Sequence, residues 1–231
     1  MHNYSDNNEA LVMGGAYSVE SPYIGIETAD RGYMFRKRLF DIVFAASGIL
    51  FLLPVFILIA AVIKLSEPRG TVFFKQTRIG KDGKPFSMYK FRSMVVNAEE
   101  LLAKLQHRNE IQGAMFKIRS DPRVTKIGKF IRKTSLDELP QLWNVLKGDM
   151  SLVGPRPGLP REVEQYTGRD RLRLLVPPGC TGLWQVSGRN GLSFKQMVDM
   201  DLDYISRRSL LFDLRLIFRT FVVIVYPKDA Y

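Results

Sequence analysis

Cysteine is almost absent from this chain. Cys180 is the single one in 231 residues, so no disulfide can form within the chain. A lone Cys reads as a small buried apolar residue and fits a reducing compartment. Histidine is scarce as well: His2 lies in a polar tail and His107 in a charged helical segment. With no Cys/His cluster in the sequence, a zinc site built from those ligands is excluded. Acids are in deficit, 23 against 34 Lys and Arg, for a formal net charge of +11. That excess favours anionic partners: nucleic acid, an anionic membrane face or phosphorylated substrates. A solvated basic surface has the same composition. Internal repeats and low-complexity segments are lacking, and the length suits one domain with a real core.

Charge is missing altogether between Ile42 and Ile63, "IVFAASGILFLLPVFILIAAVI". As a straight helix these roughly 22 residues span about 33 Å, against a hydrocarbon core of roughly 30 Å. The run is too long and starts too late for a cleaved leader. Pro54 sits in its middle, where it removes a backbone donor. Both flanks are basic: Arg36, Lys37 and Arg38 before it, and Lys64, Arg69, Lys75 and Arg78 after it. The positive-inside rule puts both flanks on the cytoplasmic side, which a re-entrant helix–break–helix hairpin satisfies. The alternative is a proline-kinked single crossing.

What is present elsewhere is regular. Residues 1–32 are polar and aperiodic and read as a flexible tail. "TVFFKQTRIGKDGKPFSMYKFRSM" reads as a β-hairpin with its turn at Lys81-Asp82-Gly83-Lys84. A period of two places Lys90 and Arg92 on one strand face, suiting a diphosphate or a solvated edge. "NAEELLAKLQHRNEI" is a helix with Ala98, Leu101, Leu102 and Leu105 on its apolar stripe. "DPRVTKIGKFIRK" is a basic amphipathic segment with Lys126, Lys129, Arg132 and Lys133 beside Val124, Ile127 and Ile131. "DLDYISRRSLLFDLRLIFRTFVVIVY" is helical and apolar, interrupted by arginines, and reads as an interfacial or core helix. Trp143 and Trp184 read as core or membrane-interface anchors.

Two adjacent acids, Asp137 and Glu138, stand in the basic segment "RKTSLDELPQLWNVL". Ser135 and Glu138 have the spacing of a capping box. Pro140 disfavours that start, because it would fall where a ladder donor is needed. With Asp137 as N-cap, Pro140 costs no hydrogen bond. Either start puts Asp137 at a helix N-terminus, whose positive end should keep it ionised. An ionised carboxylate can attack phosphorus, and a neighbouring one can hold a divalent cation. Oxygen-only coordination points to Mg²⁺ or Mn²⁺.

"RKTSLDELPQLWNVLKGDMSLVGPRPGLP" followed by "VPPGCTGLWQVSGRN" closely resembles the bacterial sugar transferases, monotopic polyprenyl-phosphate phosphoglycosyl transferases. "RLFDIVFAASGILFLLPVF", "FKQTRIGKDGKPFSMYKFRSM" and "FKIRSDPRVTKIGKFIRK" match in the same order, and the likeness runs from about residue 33 to the C-terminus. The resemblance implies a helix-rich α/β domain with a small sheet, a re-entrant membrane hairpin and interfacial helices at the cytoplasmic face of the bacterial inner membrane. The division it implies is a tail over 1–32, the hairpin region over 33–66 and a catalytic domain over 67–231. It implies the isolated catalytic module, without the extra membrane helices of larger relatives.

The implied reaction moves a sugar 1-phosphate from a UDP-sugar to polyprenyl (undecaprenyl) phosphate, releases UMP and starts a glycan. Asp137 matches the nucleophile that forms a phosphosugar–aspartyl intermediate, and Glu138 the residue that helps hold Mg²⁺. Lys90, Arg92 and Arg132 match basic residues near the phosphates. Pro155, Arg156 and Pro157 match a motif lining the nucleotide site. Gln185 and Arg189 match a loop over the donor, and Asp203 a further acid near the site. "GAMFKIRSDPRV" is closer to hexose-using members than to acetamido-sugar ones. Membrane lipids and a possible homo-oligomer complete the implied partners, with no nucleic acid. The competing class is a non-catalytic basic scaffold on the membrane that binds nucleic acid or anionic lipid.

Overall fold

The computed structural model describes residues 31–105, 118, 121–187 and 192–225. The polar tail through residue 30, Arg189, and the distal part of the helix expected after Asn97 lie outside these residues. The apolar run forms α1, Arg31–Ser66, a helix of 36 residues and about 54 Å. It passes through Pro54 without interruption, where the sequence predicts a break. Proline deletes one ladder donor and displaces the carbonyl four residues back, which bends a helix without having to end it. Its most apolar window has a mean hydropathy of 2.8 and is only 11% buried. That surface is left for an apolar phase other than the protein.

The buried residues of α1 are Lys37, Asp41, Ala45, Ile59 and Ile63. Their spacings are close to whole helical turns, so they form one stripe running along both halves of the helix. Ala45 packs with Met88, Val145 and Met150. Ile59 and Ile63 pack with Phe91 and Ile131. The two ends of α1 therefore rest on the same body.

Two residues of the upstream basic flank are consumed in this docking. Lys37 Nζ lies 3.0 Å from Asp41 Oδ1 and 2.9 Å from Oδ2 of Asp213, and all three side chains are buried. Arg38 donates to the carbonyls of Val145 and Leu146 at 2.5 and 2.7 Å. Those are C-terminal carbonyls of α4 (Gln141–Lys147), beyond the regular ladder of the helix; the Val145 carbonyl also accepts from Gly148 N at 3.1 Å.

The expected hairpin is formed by β1 (Phe73–Ile79) and β2 (Pro85–Phe91), antiparallel, in register from Phe73 with Phe91 to Ile79 with Pro85. Its tip turns through Asp82 (φ 57°) and Gly83 (φ 75°). Two helices follow, α2 (Ala98–Leu105) and the basic α3 (Lys126–Lys133). Thr125 caps α3 by accepting from Gly128 N at 2.9 Å.

A second sheet was not anticipated. It is a parallel pair of β3 (Ser151–Val153) and β4 (Gly179–Thr181). Its strands are too short for alternation to register. The short helices α5 (Pro160–Val163) and α6 (Gly168–Arg171) lie between its two strands in the chain, and α7 (Leu183–Ser187) follows β4.

The C-terminal stretch, expected to be helical, forms two helices: α8 (Phe194–Arg207) and α9 (Leu210–Val225). Arg208, at ψ 131°, turns the chain between them. Val198, Leu202 and Ile205 of α8 meet Leu216 of α9 and Val153 of β3 in one core. The outer side of α9 exposes Leu211, Leu214, Phe218 and Phe221. Of the two tryptophans, Trp184 is buried and Trp143 is 54% exposed.

Replacing Lys37 by Met leaves Asp41 and Asp213 buried without their cation. Breaking a buried pair this way costs about 3–5 kcal/mol. We expect Lys37→Met to lower the unfolding midpoint in detergent by a margin that an exposed change such as Arg36→Met does not approach.

Candidate active site

The acidic pair sits where α3 turns back toward α4. Ser135 takes a left-handed conformation (φ 55°) and makes no side-chain cap. A single 3₁₀ turn, Leu136–Glu138, follows, and α4 begins only at Gln141. Neither predicted cap is realised, because Pro140 has no N–H to continue the ladder and separates the turn from the helix. Leu136 and Leu139 anchor the turn in the Ile59–Phe91–Ile131 core. Their burial holds Asp137 and Glu138 in place between β2 and α3.

Asp137 is 7% exposed. Burial raises its pKa from 3.8 to about 6, and Glu138 adds to the rise, while Lys90 and Arg132 oppose it. The expectation that a helix N-terminus keeps this acid low is thus corrected. The helix starts four residues later, and desolvation outweighs the nearby cations. At pH 7 the carboxylate is still largely ionised, by about ten to one.

Glu138 accepts from Lys90 Nζ at 2.7 Å, in a pair whose side chains are 23% and 42% exposed. Arg132 reaches the same corner from α3, with Nε donating to Ser93 Oγ at 2.9 Å. Gly128 makes this possible, since a Cβ there would overlap the Ser93 carbonyl. Arg92 is directed elsewhere. It donates to Thr71 O at 2.7 Å and to Thr71 Oγ1 at 2.5 Å, and its guanidinium lies 6.0 Å from the Phe74 ring centroid.

Pro155, Arg156 and Pro157 follow β3 and wall a small cleft with Ile79, Tyr166 and Arg173. Glycines allow the close approach that builds it: a Cβ on Gly179 would overlap the Gly154 backbone. Gly179 N donates to Pro155 O at 2.9 Å, and Ile79 N to Gly158 O at 2.9 Å. Arg173, 6% exposed, donates to Tyr166 Oη at 3.0 Å and pairs with Asp201 at 2.6 Å. Burial raises the Asp201 pKa to about 6 against the pull of Arg173 and Arg156.

Of the remaining predicted residues, Gln185 in α7 donates to Cys180 O at 3.4 Å. Asp203 pairs with Arg207 one turn on, at the surface of α8. The buried acid is instead Asp201, which pairs with the cleft-lining Arg173 and was not singled out from the sequence. Helical spacing finds it, because Met197, Val198, Asp201, Leu202 and Ile205 form the buried stripe of α8. Arg78, Arg173 and Ser93 were also missed as site residues. Among the described residues no group of three His, Cys, Asp or Glu side chains gathers to hold a metal.

A family model described as bacterial sugar transferase matches residues 32–227. The chain belongs to the bacterial sugar transferase family. It is 45% identical over 201 residues to the UDP-galactose-lipid carrier transferase of Erwinia amylovora, covering 85% of this chain and 42% of that protein. It is 44% identical over 207 residues to the undecaprenyl-phosphate galactose phosphotransferase of Salmonella typhimurium, covering 88% of this chain and 43% of that protein. With the exopolysaccharide production protein ExoY of Rhizobium meliloti it shares 41% identity over 199 residues, 84% of this chain and 88% of that one. The chain thus spans under half the length of the first two relatives and most of the third. For a sugar transferase, a buried carboxylate ringed by cations is a suitable place to receive phosphate.

The raised pKa of Asp137 has a stability consequence. Between pH 3.8 and 6 the folded state binds the proton that the unfolded state has released, so stability falls as pH rises through that window. Above it the cost of the buried charge is fully present. Asp137→Asn removes this cost, on the order of 2 kcal/mol at pH 7. We expect the variant to melt higher than wild type at pH 7, with the difference shrinking as pH approaches 4.

Proposed function

We infer that this chain transfers a sugar 1-phosphate from a UDP-sugar to polyprenyl phosphate, with UMP as leaving group. The observation that carries the reading is Asp137, 7% exposed, held beside Glu138 with Lys90 and Arg132 around the pair. The printed names of two relatives, a UDP-galactose-lipid carrier transferase and an undecaprenyl-phosphate galactose phosphotransferase, support the donor and acceptor classes. They also favour a hexose, and the name of the third relative favours exopolysaccharide assembly as the destination.

In this reading an Asp137 carboxylate oxygen attacks the β-phosphorus of the donor. The bond from that phosphorus to the UMP oxygen breaks, and the electron pair leaves with UMP. A phosphate oxygen of the lipid acceptor then attacks the same phosphorus and expels the Asp137 carboxylate. Each half-reaction trades one P–O bond for another, so the kinetics are ping-pong. Burial makes Asp137 poorly solvated, which favours a nucleophile over a hydrated carboxylate. Lys90 and Arg132 reduce the repulsion between the acid and the incoming diphosphate.

The donor set here is oxygen-only and small. Glu138 is a fitting ligand for Mg²⁺, or Mn²⁺, that takes its other ligands from phosphate and water. When bound, such an ion supplies charge neutralisation of the diphosphate. Lys90 holds Glu138 at 2.7 Å and so keeps that carboxylate oriented.

For the membrane, we propose the re-entrant arrangement at the cytoplasmic face of the inner membrane. Both ends of α1 pack on one body, which supports entry and exit on a single side. The exposed apolar side of α9 suits the plane of the interface. Single cysteines placed at Arg31 and Ser66, with Cys180→Ala, are expected to react with an impermeant thiol reagent from the same side of sealed vesicles. Opposite-side labelling returns the kinked crossing instead.

The activity is tested with a UDP-sugar panel, undecaprenyl phosphate and Mg²⁺, read as UMP. We expect a UDP-hexose to give turnover that chelation removes and that Asp137→Asn reduces by at least about 10³-fold. The acidic limb of kcat/KM should rise through about 6, following the free-enzyme Asp137. Arg132→Gln, which removes a cation stabilising the carboxylate, should move that limb upward. Turnover by Asp137→Asn at the wild-type rate would exclude its role as nucleophile.

A further inference from the structure

Arg78 and Arg156 both belong to the Pro155–Pro157 corner, and among the described residues neither is paired with an acid. Arg78, near the end of β1, is 5% exposed. Its Nε and Nη2 donate to Gln76 Oε1 at 3.1 and 2.6 Å, and its Nη1 donates to Pro157 O at 3.0 Å. These bonds fix the fork in place and leave two of its five N–H groups uncommitted. Neither acceptor carries a charge.

Among the described residues Arg78 forms no ion pair. Arg173 makes the contrast. It is about as buried, at 6%, and it has Asp201 at 2.6 Å. A charge removed from water is ordinarily paired, because desolvation is otherwise uncompensated.

Arg156 makes the balance worse. Its guanidinium forms no ion pair among the described residues. Burial and the Arg156 charge bring the Arg78 pKa down to about 10, while Glu162 and Glu138 raise it without pairing with it. Arg78 therefore stays charged at pH 7. A rigid fork, a second cation and no counter-ion describe a place that is completed by a polyanion. Arg78 and Glu138 are close enough for the Glu138 charge to act on Arg78.

We propose that Arg78 is a phosphate-anchoring residue. With Arg156 it forms a fixed pair of positive charges against which the diphosphate of a nucleotide donor seats. The assignment rests on the donor reading given above and adds to it a residue that the sequence placed only in the basic flank of the membrane run. Arg78 is the rigid member of the pair, tied to β1 and to the Pro157 carbonyl. Arg156, half-exposed, is the member free to follow the ligand.

The test is direct binding to the full-length protein in detergent, by calorimetry and thermal shift, with three probes: UMP, inorganic pyrophosphate and decyl phosphate. Arg78→Met and Arg78→Lys are compared with wild type, so that one variant remains if the other fails to fold. We expect UMP and pyrophosphate to bind wild type, and both variants to bind them roughly 10- to 100-fold more weakly, the worth of a lost charge-assisted hydrogen bond. Their stabilising thermal shift should fall with the affinity. Wild-type affinity for both probes in either folded variant overturns the proposal. Arg78-dependent binding of decyl phosphate alone also overturns it, and assigns the pair to the acceptor. Arg78-dependent binding of pyrophosphate without UMP upholds the anchor and overturns the uridine-donor reading. Binding of none of the probes by wild type overturns both.

Discussion

The architecture depends on one buried cation. Lys37, on the first turns of the apolar helix, is held between Asp41 of the same helix and Asp213 of α9. Each carboxylate is tied again. Asp41 accepts from Leu152 N at 3.1 Å, and Asp213 accepts from Tyr204 Oη at 2.8 Å. The hydroxyl of Tyr204 also donates to Val153 O at 3.0 Å. One ammonium therefore fastens α1, β3, α8 and α9 together. Charges so placed are costly unless every partner is present, which makes the arrangement strongly specific for one docking of α1. Because Ile59 and Ile63 dock on the same body, the long apolar helix is fixed at both ends, and the Asp137 corner is fixed next to it through the same apolar cluster.

The site itself runs against stability. Asp137 is buried with its pKa raised, Asp201 likewise, and Arg78 is buried without an acid. Each of these costs free energy in the isolated protein. The surrounding structure is correspondingly stiff. Gly128 and Gly179 permit backbone contacts that no side chain would allow. Asn144, fully buried, bridges Tyr89 N, Ser87 O and Asp149 Oδ2 and locks α4 to β2. Such local over-determination lets strained charges persist.

Much of this was legible from pattern. The hairpin followed from alternation and its Asp82–Gly83 tip, and α3 from its basic amphipathic spacing. The Asp137–Glu138 pair followed from composition and from family likeness. Other features were not legible, for stated reasons. Capping rules presuppose a regular helix, and Pro140 instead leaves a 3₁₀ turn at Asp137. Alternation pairs Lys90 with Arg92, but β2 ends at Phe91. Past the strand end, the arginine is captured by Thr71. Lys37 and Arg38 read as topogenic charges, because nothing local shows that Asp213 and the end of α4 await them.

By itself the sequence determined the long apolar run and its helical character, the basic character around a lone acidic pair, and the types and order of most elements. These are set by composition and by periods of two and 3.6, which are local properties of a chain. Only the tertiary structure decided which charges are buried, which are paired and which are left unsatisfied. It buried Asp201 rather than Asp203, against Arg173, gave Lys37 two acids and, among the described residues, gave Arg78 none. Desolvation depends on everything packed around a group, from segments more than a hundred residues apart in sequence, as between Asp41 and Leu152. No local pattern carries that information.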